Sequence, residues 1–427
     1  MEGKTLSQLD QELIWHPFTQ MKTAPKPIVI HRGKGSMIYD EQGKGYVDGI
    51  SSWFVNLHGH AHPYIGKKIA EQAEILEHVI FAEFTHKPAI ELARQLLPLL
   101  PGSFSKLFFS DNGATSVEVG LKMALQYWHN KDYNTKRKKI LGLRGGYYGE
   151  TFGTMSAAGK NHFNRPFWSH LFDVELIDPP IEGFEERSLH QLEAILKKTD
   201  IACFIFEPLI LGIGGMITYS PKAMDSLLKQ CRDQGILLIA DEVLTGFGRT
   251  GRLFASETLE EKPDIICLSK GLTGGFLPLG ATACREEIYQ GFLSDHFSHA
   301  LLHGHSYTGN PLACTSALAS LELLVSEECH AQREKICHSH QQFCKKWRGH
   351  PSLKRCEFLG TILILEYGTG TTGYYNPIRD RLYSFFLKHG VLLRPLGNVL
   401  YVMPPYCIKE DELTLIYNLI EESWKSC

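Results

Sequence analysis

The sequence predicts an α/β fold whose main sheet is largely parallel, and three observations lead to that fold class. From about residue 64 to residue 325, helical patterns alternate with short apolar runs of strand length. Two of these runs, 236–241 and 264–270, each end on an ionisable residue, Asp241 and Lys270. Beyond residue 330 the pattern changes to a polar helix and then strands. Strands buried on both faces are continuous apolar runs, so the alternation indicates a parallel sheet covered by helices.

The individual elements follow from local periodicity and from turn residues. Residues 30–50 predict a small antiparallel piece, because strand-like runs alternate with glycine turns. The main part predicts, in order, a helix at 114–129, a strand at 139–143, a helix at 189–198, a strand at 202–207, a helix at 221–234, the strands 236–241 and 264–270, and a helix at 311–326. The last part predicts a helix at 334–347 and strands at 361–366 and 399–403.

Three segments follow from this pattern. Residues 64–328 form the large domain, residues 329–427 form a smaller α+β domain, and residues 1–63 are an N-terminal segment that joins the small domain. With 427 residues, of which 43% are apolar, the chain is long enough to bury a large core.

Composition excludes several classes of protein. The formal net charge of −3 gives no basic surface for nucleic acid, and no uncharged apolar window has the length of a membrane span. The N-terminus lacks the apolar core of a signal peptide, so we expect a cytoplasmic protein. The 11 cysteines are scattered through apolar runs without a C-x-x-C spacing, which is typical of reduced, buried thiols.

Asp241 and Lys270 end neighbouring apolar runs, so a carboxylate and an amine are expected at one edge of the sheet. Pyridoxal phosphate needs that pair, because a lysine holds it as a Schiff base and an acidic residue keeps its ring nitrogen protonated. An apolar strand that ends in Asp-Glu is also typical of the magnesium-binding strand of P-loop ATPases. That class needs a G-x-x-x-x-G-K-[ST] loop, which the sequence lacks.

Three loops carry groups suited to a phosphorylated, planar cofactor. Residues 110–115 follow a strand and open a helix, where free backbone N–H groups bind phosphate; the alternative is an ordinary helix cap. Tyr147 follows two glycines and offers a ring for stacking, although loop packing explains it equally well. Residues 303–311 form a polar turn whose hydroxyl groups suit a phosphate.

The histidine clusters 58–62 and 303–305 raise the question of a metal site. Glycines interrupt both segments, and neither has a carboxylate or a cysteine at ligand spacing. We therefore predict no metal and assign these histidines to loop geometry.

Several motifs together resemble a known family, the class III aminotransferases, which are pyridoxal-phosphate enzymes of fold type I. The motifs of that family are Asp241-Glu242-Val243, Thr245 to Gly251, Ser269-Lys270-Gly271 and Gly309 to Ala313. Within the family, further motifs resemble the branch that transaminates 8-amino-7-oxononanoate in biotin synthesis: Trp15-His16-Pro17, Ser51-Ser52-Trp53, Thr85 to Leu92, Met123 to Trp128, Arg394-Pro395 and Met403 to Tyr406. The resemblance runs from about residue 12 to residue 408.

The resemblance implies roles for individual residues. The catalytic residues it implies are Lys270, Asp241 and Tyr147. Those it implies for cofactor binding are Gly113 and Ala114 at the phosphate, Tyr147 and Val243 on either side of the ring, Asp241 at the ring nitrogen, Lys270 as the Schiff-base amine, and His305 and Ser306 from the second subunit of a homodimer. The substrate contacts it implies are Phe18, Trp53, Tyr147, Glu150, Gly304, Arg394 and Tyr401. Among these, Arg394 is expected to bind the carboxylate of 8-amino-7-oxononanoate.

Four positions depart from the pattern of the adenosylmethionine-using branch. Phe18 replaces a tyrosine, Glu150 an aspartate, Ser306 a threonine and His305 a proline. Because the first two lie where the family's substrate mouth is expected, we keep adenosylmethionine as the amino donor and expect lysine to compete with it. Two alternatives stay open: another class III ω-aminotransferase, acting on ornithine, acyl-ornithine or 4-aminobutyrate, and a catalytically idle protein that binds pyridoxal phosphate.

Overall fold

The computed structural model describes residues 3–198, 200–370 and 372–424. The strands in this part of the chain are β1 (Ile30–Lys34), β2 (Met37–Asp40), β3 (Gly45–Asp48), β4 (Phe104–Ser110), β5 (Lys139–Leu143), β6 (Glu175–Ile177), β7 (Ile201–Phe206), β8 (Ile210–Leu211), β9 (Ile217–Thr218), β10 (Leu237–Asp241), β11 (Ile265–Leu268), β12 (Gly280–Arg285), β13 (Leu353–Leu359), β14 (Ile362–Tyr367), β15 (Val391–Leu392) and β16 (Val399–Val402).

The helices enclose these strands. They are α1 (Leu6–Leu13), α2 (Ser51–Phe54, a short turn), α3 (Pro63–Ala73), α4 (Lys87–Leu96), α5 (Gly113–Lys131), α6 (Phe152–Ala157), α7 (Glu185–Leu196), α8 (Pro221–Asp233), α9 (Glu286–Gln290), α10 (Pro311–Leu324), α11 (Glu327–Trp347), α12 (Ile378–Lys388) and α13 (Glu410–Ser423). Short 3₁₀ turns lie at Leu97–Leu99, Arg165–His170, Ala255–Thr258, Lys270–Thr273 and Phe297–His299. None of the helices in the described ranges is long and apolar enough to cross a membrane.

The large sheet has 7 strands in the order β4-β12-β11-β10-β7-β5-β6. Strand β12 is antiparallel to both of its neighbours, while the pairs from β11 to β6 are parallel. The predicted fold class, an α/β protein with a mainly parallel sheet, is thereby confirmed. Because β12 is antiparallel to both neighbours, β4 runs the same way as β11, and six strands of one direction end at one edge: β4, β11, β10, β7, β5 and β6.

Helix α5 shows how the large sheet is covered. Asn112 caps the helix by accepting the N–H of Thr115, and the Thr115 side chain completes a capping box. The face of α5 toward the sheet carries buried Val117, Leu121 and Ala124. A methyl group at Gly120 would lie 2.9 Å from Sγ of Cys267 on β11, so only glycine permits this close approach.

A second apolar core lies around the three-stranded sheet β13-β14-β16, and the N-terminal segment contributes to it. Strand β3 pairs with β15 in parallel, with Val47 opposite Val391, and the Ser36 hydroxyl donates to Glu412 at 2.5 Å. These contacts place residues 30–48 beside the C-terminal part of the chain. The division into three segments at residues 63 and 328 stays a prediction.

The predicted helix starts were wrong by several residues in two places. Helix α11 begins at Glu327 rather than 334, and α7 begins at Glu185 rather than 189. Both helices open with two glutamates, which the helix dipole stabilises at an N-terminus, and Ser326 caps α11. A charged first turn carries little apolar periodicity, so the pattern detected only the later turns.

A buried histidine links stability to pH in the second core. His340 of α11 is buried, its Nδ1 lies 2.7 Å from the Tyr417 hydroxyl and its Nε2 3.2 Å from the carbonyl oxygen of Thr361. Burial lowers the pKa of His340 to about 3, although the Thr361 contact opposes this shift.

We expect the neutral His340 to make the fold less stable as pH falls. The unfolded chain takes up a proton below the ordinary histidine pKa of about 6.5, so this contribution is complete above pH 6.5 and declines by about 1.4 kcal/mol per pH unit toward pH 3. His340→Gln should therefore show a smaller drop in melting temperature between pH 7 and pH 5 than the wild type. His338→Gln, on an exposed position of α11, is the control. Equal pH slopes in all three proteins would contradict this account.

Candidate active site

Five parallel strands deliver the candidate site residues to one edge of the large sheet. Gly113 follows β4, Tyr147 follows β5, Glu207 follows β7, Asp241 ends β10 and Lys270 follows β11. The carboxyl edge of a parallel sheet is where α/β proteins bind ligands, because loops and helix N-termini converge there. Asp241 pairs with Cys267 across β10 and β11, so its strand end lies beside the loop that carries Lys270.

Asp241 is a buried carboxylate that accepts one hydrogen bond from among the described residues. Only 4% of the residue is exposed, and its Oδ1 accepts the N–H of Val243 at 2.9 Å. Burial raises the pKa of Asp241 to about 7, while the Val243 bond and the Lys270 ammonium oppose that rise. A nearby cation favours the ionised form of a buried carboxylate, and a protonated ring nitrogen is such a cation.

Lys270 is held in an uncommon backbone conformation. Its φ is +40°, and the Ser269 hydroxyl just before it donates to the Leu279 carbonyl at 2.7 Å. Burial lowers the pKa of the Lys270 amine, and the carboxylates of Asp241 and Glu207 oppose the shift. Its Nζ lies 5.2 Å from the centre of the Phe54 ring. A lowered amine pKa increases the fraction of neutral, nucleophilic lysine.

The N-terminus of α5 forms a cradle for an anion. The backbone N–H groups of Gly113 and Ala114 have no acceptor among the described residues, and the buried Oγ of Ser110 has no hydrogen-bond partner there. A methyl group on Gly113 would lie 2.7 Å from Cγ1 of Val243. Glycine at 113 therefore leaves room for the Val243 side chain. The free N–H groups at the start of the helix are suited to binding a phosphate.

Glu207 is a site residue that the sequence reasoning missed. Its Oε1 accepts the N–H of Tyr147 at 2.9 Å and its Oε2 accepts the N–H of Gly212 at 3.0 Å. Burial, together with the nearby Asp241, raises the pKa of Glu207 to about 8. The signal was present in the sequence, because Glu207 directly follows an apolar strand, as Asp241 ends one. Glu207 fixes the backbone of Tyr147.

The Tyr147 side chain is half-buried and lies beside Glu150. Burial raises the pKa of the Tyr147 phenol well above its usual value, and the Glu150 carboxylate, which is hydrogen-bonded to it, adds to the rise. Tyr147 therefore remains a neutral phenol and a hydrogen-bond donor throughout the physiological range. Partial burial raises the pKa of Glu150, and the Tyr147 bond opposes that shift.

An aromatic and cationic group stands apart from the anion cradle. The rings of Phe18 and Trp53 lie 5.7 Å apart, edge to face, and Cζ of Arg394 lies 5.2 Å from the Trp53 ring. Phe18 and Trp53 are 48% and 38% exposed, so they face solvent at the surface of the chain. Within the described ranges, Arg394 forms no ion pair with a carboxylate. An unpaired guanidinium stacked on an indole is suited to an incoming carboxylate.

Four further predicted site residues lie in the second core and in the turn before α10. Tyr401 is 1% exposed, and its ring lies 5.4 Å from that of Phe54. Gly304 and Ser306 are exposed in the turn before α10. Nε2 of His305 is buried, 4.0 Å from Oδ1 of Asp111, and has no hydrogen-bond partner in the described part of the chain. The roles assigned to these four residues stay predictions.

The histidine segment 58–62 makes protein contacts. Nε2 of His58 lies 3.1 Å from the Ser320 hydroxyl, and Nε2 of His60 lies 2.9 Å from Asp48. Across the described ranges, no group of three or more His, Cys, Asp or Glu side chains is placed to hold a metal ion.

Comparison with known proteins decides the family. A family model described as Aminotransferase class-III matches residues 18–423, which is nearly the whole chain. The chain belongs to the class III aminotransferases. The adenosylmethionine-8-amino-7-oxononanoate aminotransferase of Synechococcus elongatus is 46% identical over 96% of this chain and 97% of its own length. The enzyme of that name from Helicobacter pylori is 37% identical over 96% of this chain and 95% of its own.

Solved structures agree with the family assignment. The crystal structure of the adenosylmethionine-8-amino-7-oxononanoate aminotransferase from Methanocaldococcus jannaschii superposes with a TM-score of 0.93 at 35% identity and covers 99% of both chains. An ω-transaminase from Pseudomonas jessenii superposes with a TM-score of 0.92 at 26% identity, covering 99% of this chain and 98% of its own. The aminotransferase therefore has the predicted fold type I architecture.

Class III aminotransferases depend on pyridoxal phosphate, and the site of this aminotransferase fits that group. The cradle of Gly113 and Ala114 offers free backbone N–H groups to a phosphate. The carboxylate of Asp241 is buried, and the charge of the nearby Lys270 amine lowers its pKa, against the effect of burial. An anion cradle, a buried carboxylate and an amine at one sheet edge are the three groups that this cofactor requires.

We expect Gly113→Ala to weaken cofactor binding. The added methyl group would meet Val243 at 2.7 Å, so either the first turn of α5 or Val243 must shift. A loss of about 1.4 kcal/mol would raise the dissociation constant of pyridoxal phosphate about tenfold in an absorbance titration. Gly66→Ala, on α3, is the control, because its methyl group would have no neighbour nearer than 4.0 Å. Equal dissociation constants for the two variants would contradict the cradle.

Proposed function

We propose that the aminotransferase transfers an amino group to 8-amino-7-oxononanoate and forms 7,8-diaminononanoate, a step of biotin synthesis. The observation that carries the proposal is the free guanidinium of Arg394, which lies 5.2 Å from the Trp53 ring beside Phe18. A linear keto acid with a terminal carboxylate needs a cation at one end of its site and an amine at the other. The names of the relatives from Synechococcus elongatus and Helicobacter pylori support this substrate.

Pyridoxal phosphate, when bound, supplies an electron sink for the negative charge that develops at the substrate carbon. We assign Lys270 to the covalent attachment and to moving the proton at that carbon. Asp241 holds the ring nitrogen in its protonated form. Gly113 and Ala114 hold the phosphate through their N–H groups.

Further side chains shape the space around these groups. We assign Tyr147 and Val243 to the two faces of the cofactor ring, since Val243 contacts the anion cradle and Tyr147 is fixed by Glu207. The rings of Phe54 and Tyr401 lie 5.4 Å apart, and the Phe54 ring is near Nζ of Lys270. These aromatic side chains exclude water from the reacting amine and suit an alkyl chain.

We also propose that two copies of the aminotransferase form a homodimer, in which Ser306 and the backbone at His305 bind the phosphate of the partner subunit. The exposure of Ser306 in the turn before α10 supports this role. Large apolar side chains are exposed nearby, among them Tyr307 at 66% and Leu302 at 62%. A cytoplasmic location is supported by the free cysteines, most of which are buried.

The amino donor is proposed to be adenosylmethionine, with lysine as a competitor. Phe18 cannot donate the hydrogen bond that a tyrosine offers to the methionine portion of adenosylmethionine. Glu150 extends one methylene further than aspartate, and its exposed carboxylate suits the terminal ammonium of lysine.

Product formation tests the proposed function. Purified protein with pyridoxal phosphate, 8-amino-7-oxononanoate and each donor in turn should yield 7,8-diaminononanoate, detected by mass spectrometry. Lys270→Ala should form none, because one amine serves both attachment and proton transfer. Turnover of ornithine, acyl-ornithine or 4-aminobutyrate in place of 8-amino-7-oxononanoate would favour another ω-aminotransferase. Binding of the cofactor without any turnover would indicate an idle protein.

Removing Arg394 should affect the two substrates unequally. We expect Arg394→Ala to raise the KM for 8-amino-7-oxononanoate by about 30-fold or more, since losing a desolvated charge-assisted contact costs at least about 2 kcal/mol. The KM for the donor should change far less. Arg187→Ala, which removes an exposed partner of Asp178, is the control. An equal rise of both KM values would show that Arg394 acts structurally or serves both substrates.

Restoring the missing hydroxyl should shift donor preference. Phe18→Tyr is expected to increase kcat/KM for adenosylmethionine relative to lysine by about 2- to 10-fold, because one hydrogen bond contributes about 0.5–1.5 kcal/mol. Single-turnover conversion of the cofactor by each donor measures this ratio. Phe167→Tyr, at another partly exposed phenylalanine, is the control. If the wild type reacts only with adenosylmethionine and Phe18→Tyr leaves the ratio unchanged, Phe18 does not influence the donor.

A further inference from the structure

One turn of the chain presents aromatic rings to both cations of the site. Trp53 lies against the Arg394 guanidinium, and Phe54, the next residue, lies against the Lys270 ammonium. Adjacent residues of a strand point to opposite faces of a sheet, and adjacent residues of a right-handed helix are about 100° apart. The conformation of this turn therefore decides whether both rings reach their cations.

The turn is left-handed over four consecutive residues. The φ angles of Ser51, Ser52, Trp53 and Phe54 are +50°, +44°, +73° and +75°, and none of these residues is glycine. The left-handed region brings Cβ close to the following carbonyl oxygen, so each residue adds to the free-energy cost of the turn. Such a run persists only where the surrounding structure holds it, and strain of this kind is concentrated at functional sites.

Asp48, at the end of β3, accepts hydrogen bonds from the entry of the turn and from its second residue. Its Oδ1 accepts the N–H groups of Ile50 and Ser52 at 3.2 Å and 3.0 Å, and its Oδ2 accepts the Ser52 hydroxyl at 2.7 Å. No surface of Asp48 is exposed to solvent. These three bonds connect Ile50 and Ser52 to strand β3. Strand β3 pairs with β15, which ends two residues before Arg394.

His60 completes the coordination of the Asp48 carboxylate. Its Nε2 lies 2.9 Å from Oδ2 of Asp48, and its Nδ1 lies 3.1 Å from Nδ2 of Asn56. An amide nitrogen is only a donor, so Nδ1 of His60 accepts and Nε2 carries the hydrogen that is donated to Asp48. The carboxylate thus receives four hydrogen bonds, which orient it and compensate for its burial.

We propose that Asp48, oriented by His60, is a positioning residue that holds the left-handed turn of residues 51–54, so that Trp53 and Phe54 stand against Arg394 and Lys270. Its kinetic consequence rests on the proposed function, in which Arg394 binds the carboxylate of 8-amino-7-oxononanoate. Loss of the Asp48 carboxylate lets the turn relax toward right-handed or extended backbone. Trp53 then loses its contact with the Arg394 guanidinium, although neither Arg394 nor Lys270 has been substituted.

Asp48→Asn is the first test, because it keeps the shape of the side chain and removes two of the accepting sites. The accessibility of Trp53 is measured by acrylamide quenching of the protein without cofactor. Since the chain has 6 tryptophans, the Trp53 signal is taken as the difference from the matching Trp53→Phe variant. We expect quenching of Trp53 to increase and kcat/KM for 8-amino-7-oxononanoate to fall about 100-fold, the effect of a misplacement of about 1 Å.

Asp264→Asn is the matched control. Asp264 is also a buried carboxylate, 3% exposed, and it accepts bonds from Arg232, Arg285 and the N–H of Leu238. It precedes β11, at the opposite end from Lys270. Its replacement should lower the melting temperature and leave Trp53 quenching and kcat/KM unchanged. If Asp48→Asn behaves in the same way as Asp264→Asn, Asp48 is merely structural and the proposal is overturned.

Two substitutions at Ser52 test the proposal even if Asp48→Asn fails to fold. Ser52→Ala and Ser52→Gly both remove the hydroxyl bond to Asp48, but only glycine adopts a positive φ without strain. We expect Ser52→Ala to expose Trp53 more and to lose more kcat/KM than Ser52→Gly. Equal or reversed effects would overturn the proposal. If the wild type does not convert 8-amino-7-oxononanoate while Trp53 quenching changes as expected, the proposed function fails and the role of Asp48 stands.

Discussion

The burial of Asp241 beside Lys270 is the constraint on which the rest of the site depends. A buried carboxylate and a buried amine are both costly unless they face charges of opposite sign. Burial raises the pKa of Asp241 to about 7 and lowers that of Lys270, while each group opposes the shift of the other. The pair is tolerable because neighbouring parallel strands end side by side, and a cationic ring nitrogen beside Asp241 would remove much of the cost. The sheet thus places a carboxylate and an amine, which a pyridoxal-phosphate enzyme uses, at the ends of neighbouring strands.

The surroundings of this pair are fixed mostly through the backbone. Glu207 accepts two backbone N–H groups and so sets the loop of Tyr147, while Ser269 ties the Lys270 turn to the Leu279 carbonyl. Glycine at 113 lets Val243 approach the first turn of α5. Backbone contacts of this kind hold functional side chains without occupying their reactive atoms.

The two apolar cores meet at the substrate end of the site. Phe54 packs against Tyr401 in the core that surrounds β13-β14-β16, and it also faces Lys270, which follows a strand of the large sheet. The guanidinium of Arg249 is buried near this junction and donates to the carbonyl oxygens of Pro404 and Phe54. The left-handed turn therefore lies where both parts of the chain must be correctly packed before its rings face Arg394 and Lys270.

The sequence by itself determined the fold class through local signals, which are apolar runs of strand length separated by helical patterns. A charge at the end of a run and a polar helix start after a strand predicted Asp241, Lys270 and residues 110–115 as site candidates. The family followed from the resemblance of several motifs rather than from these signals. The same signals missed the first turns of α7 and α11, where pairs of glutamates interrupt the apolar period. The same signals could have identified Glu207, because it also follows an apolar strand.

Only the tertiary structure decided the backbone conformation at residues 51–54 and the partners of Asp48. Nothing in Ser-Ser-Trp-Phe favours a left-handed turn, because each of these residues prefers a negative φ. Asp48 and His60, which flank the turn in sequence, converge on it, while β15 comes from a distant part of the chain to pair with the strand that carries Asp48. The position of β12, antiparallel between β4 and β11, was also decided only by the tertiary structure. The order of strands depends on the packing of the whole sheet rather than on any one segment. Local periodicity carries no information about contacts between segments so far apart in sequence.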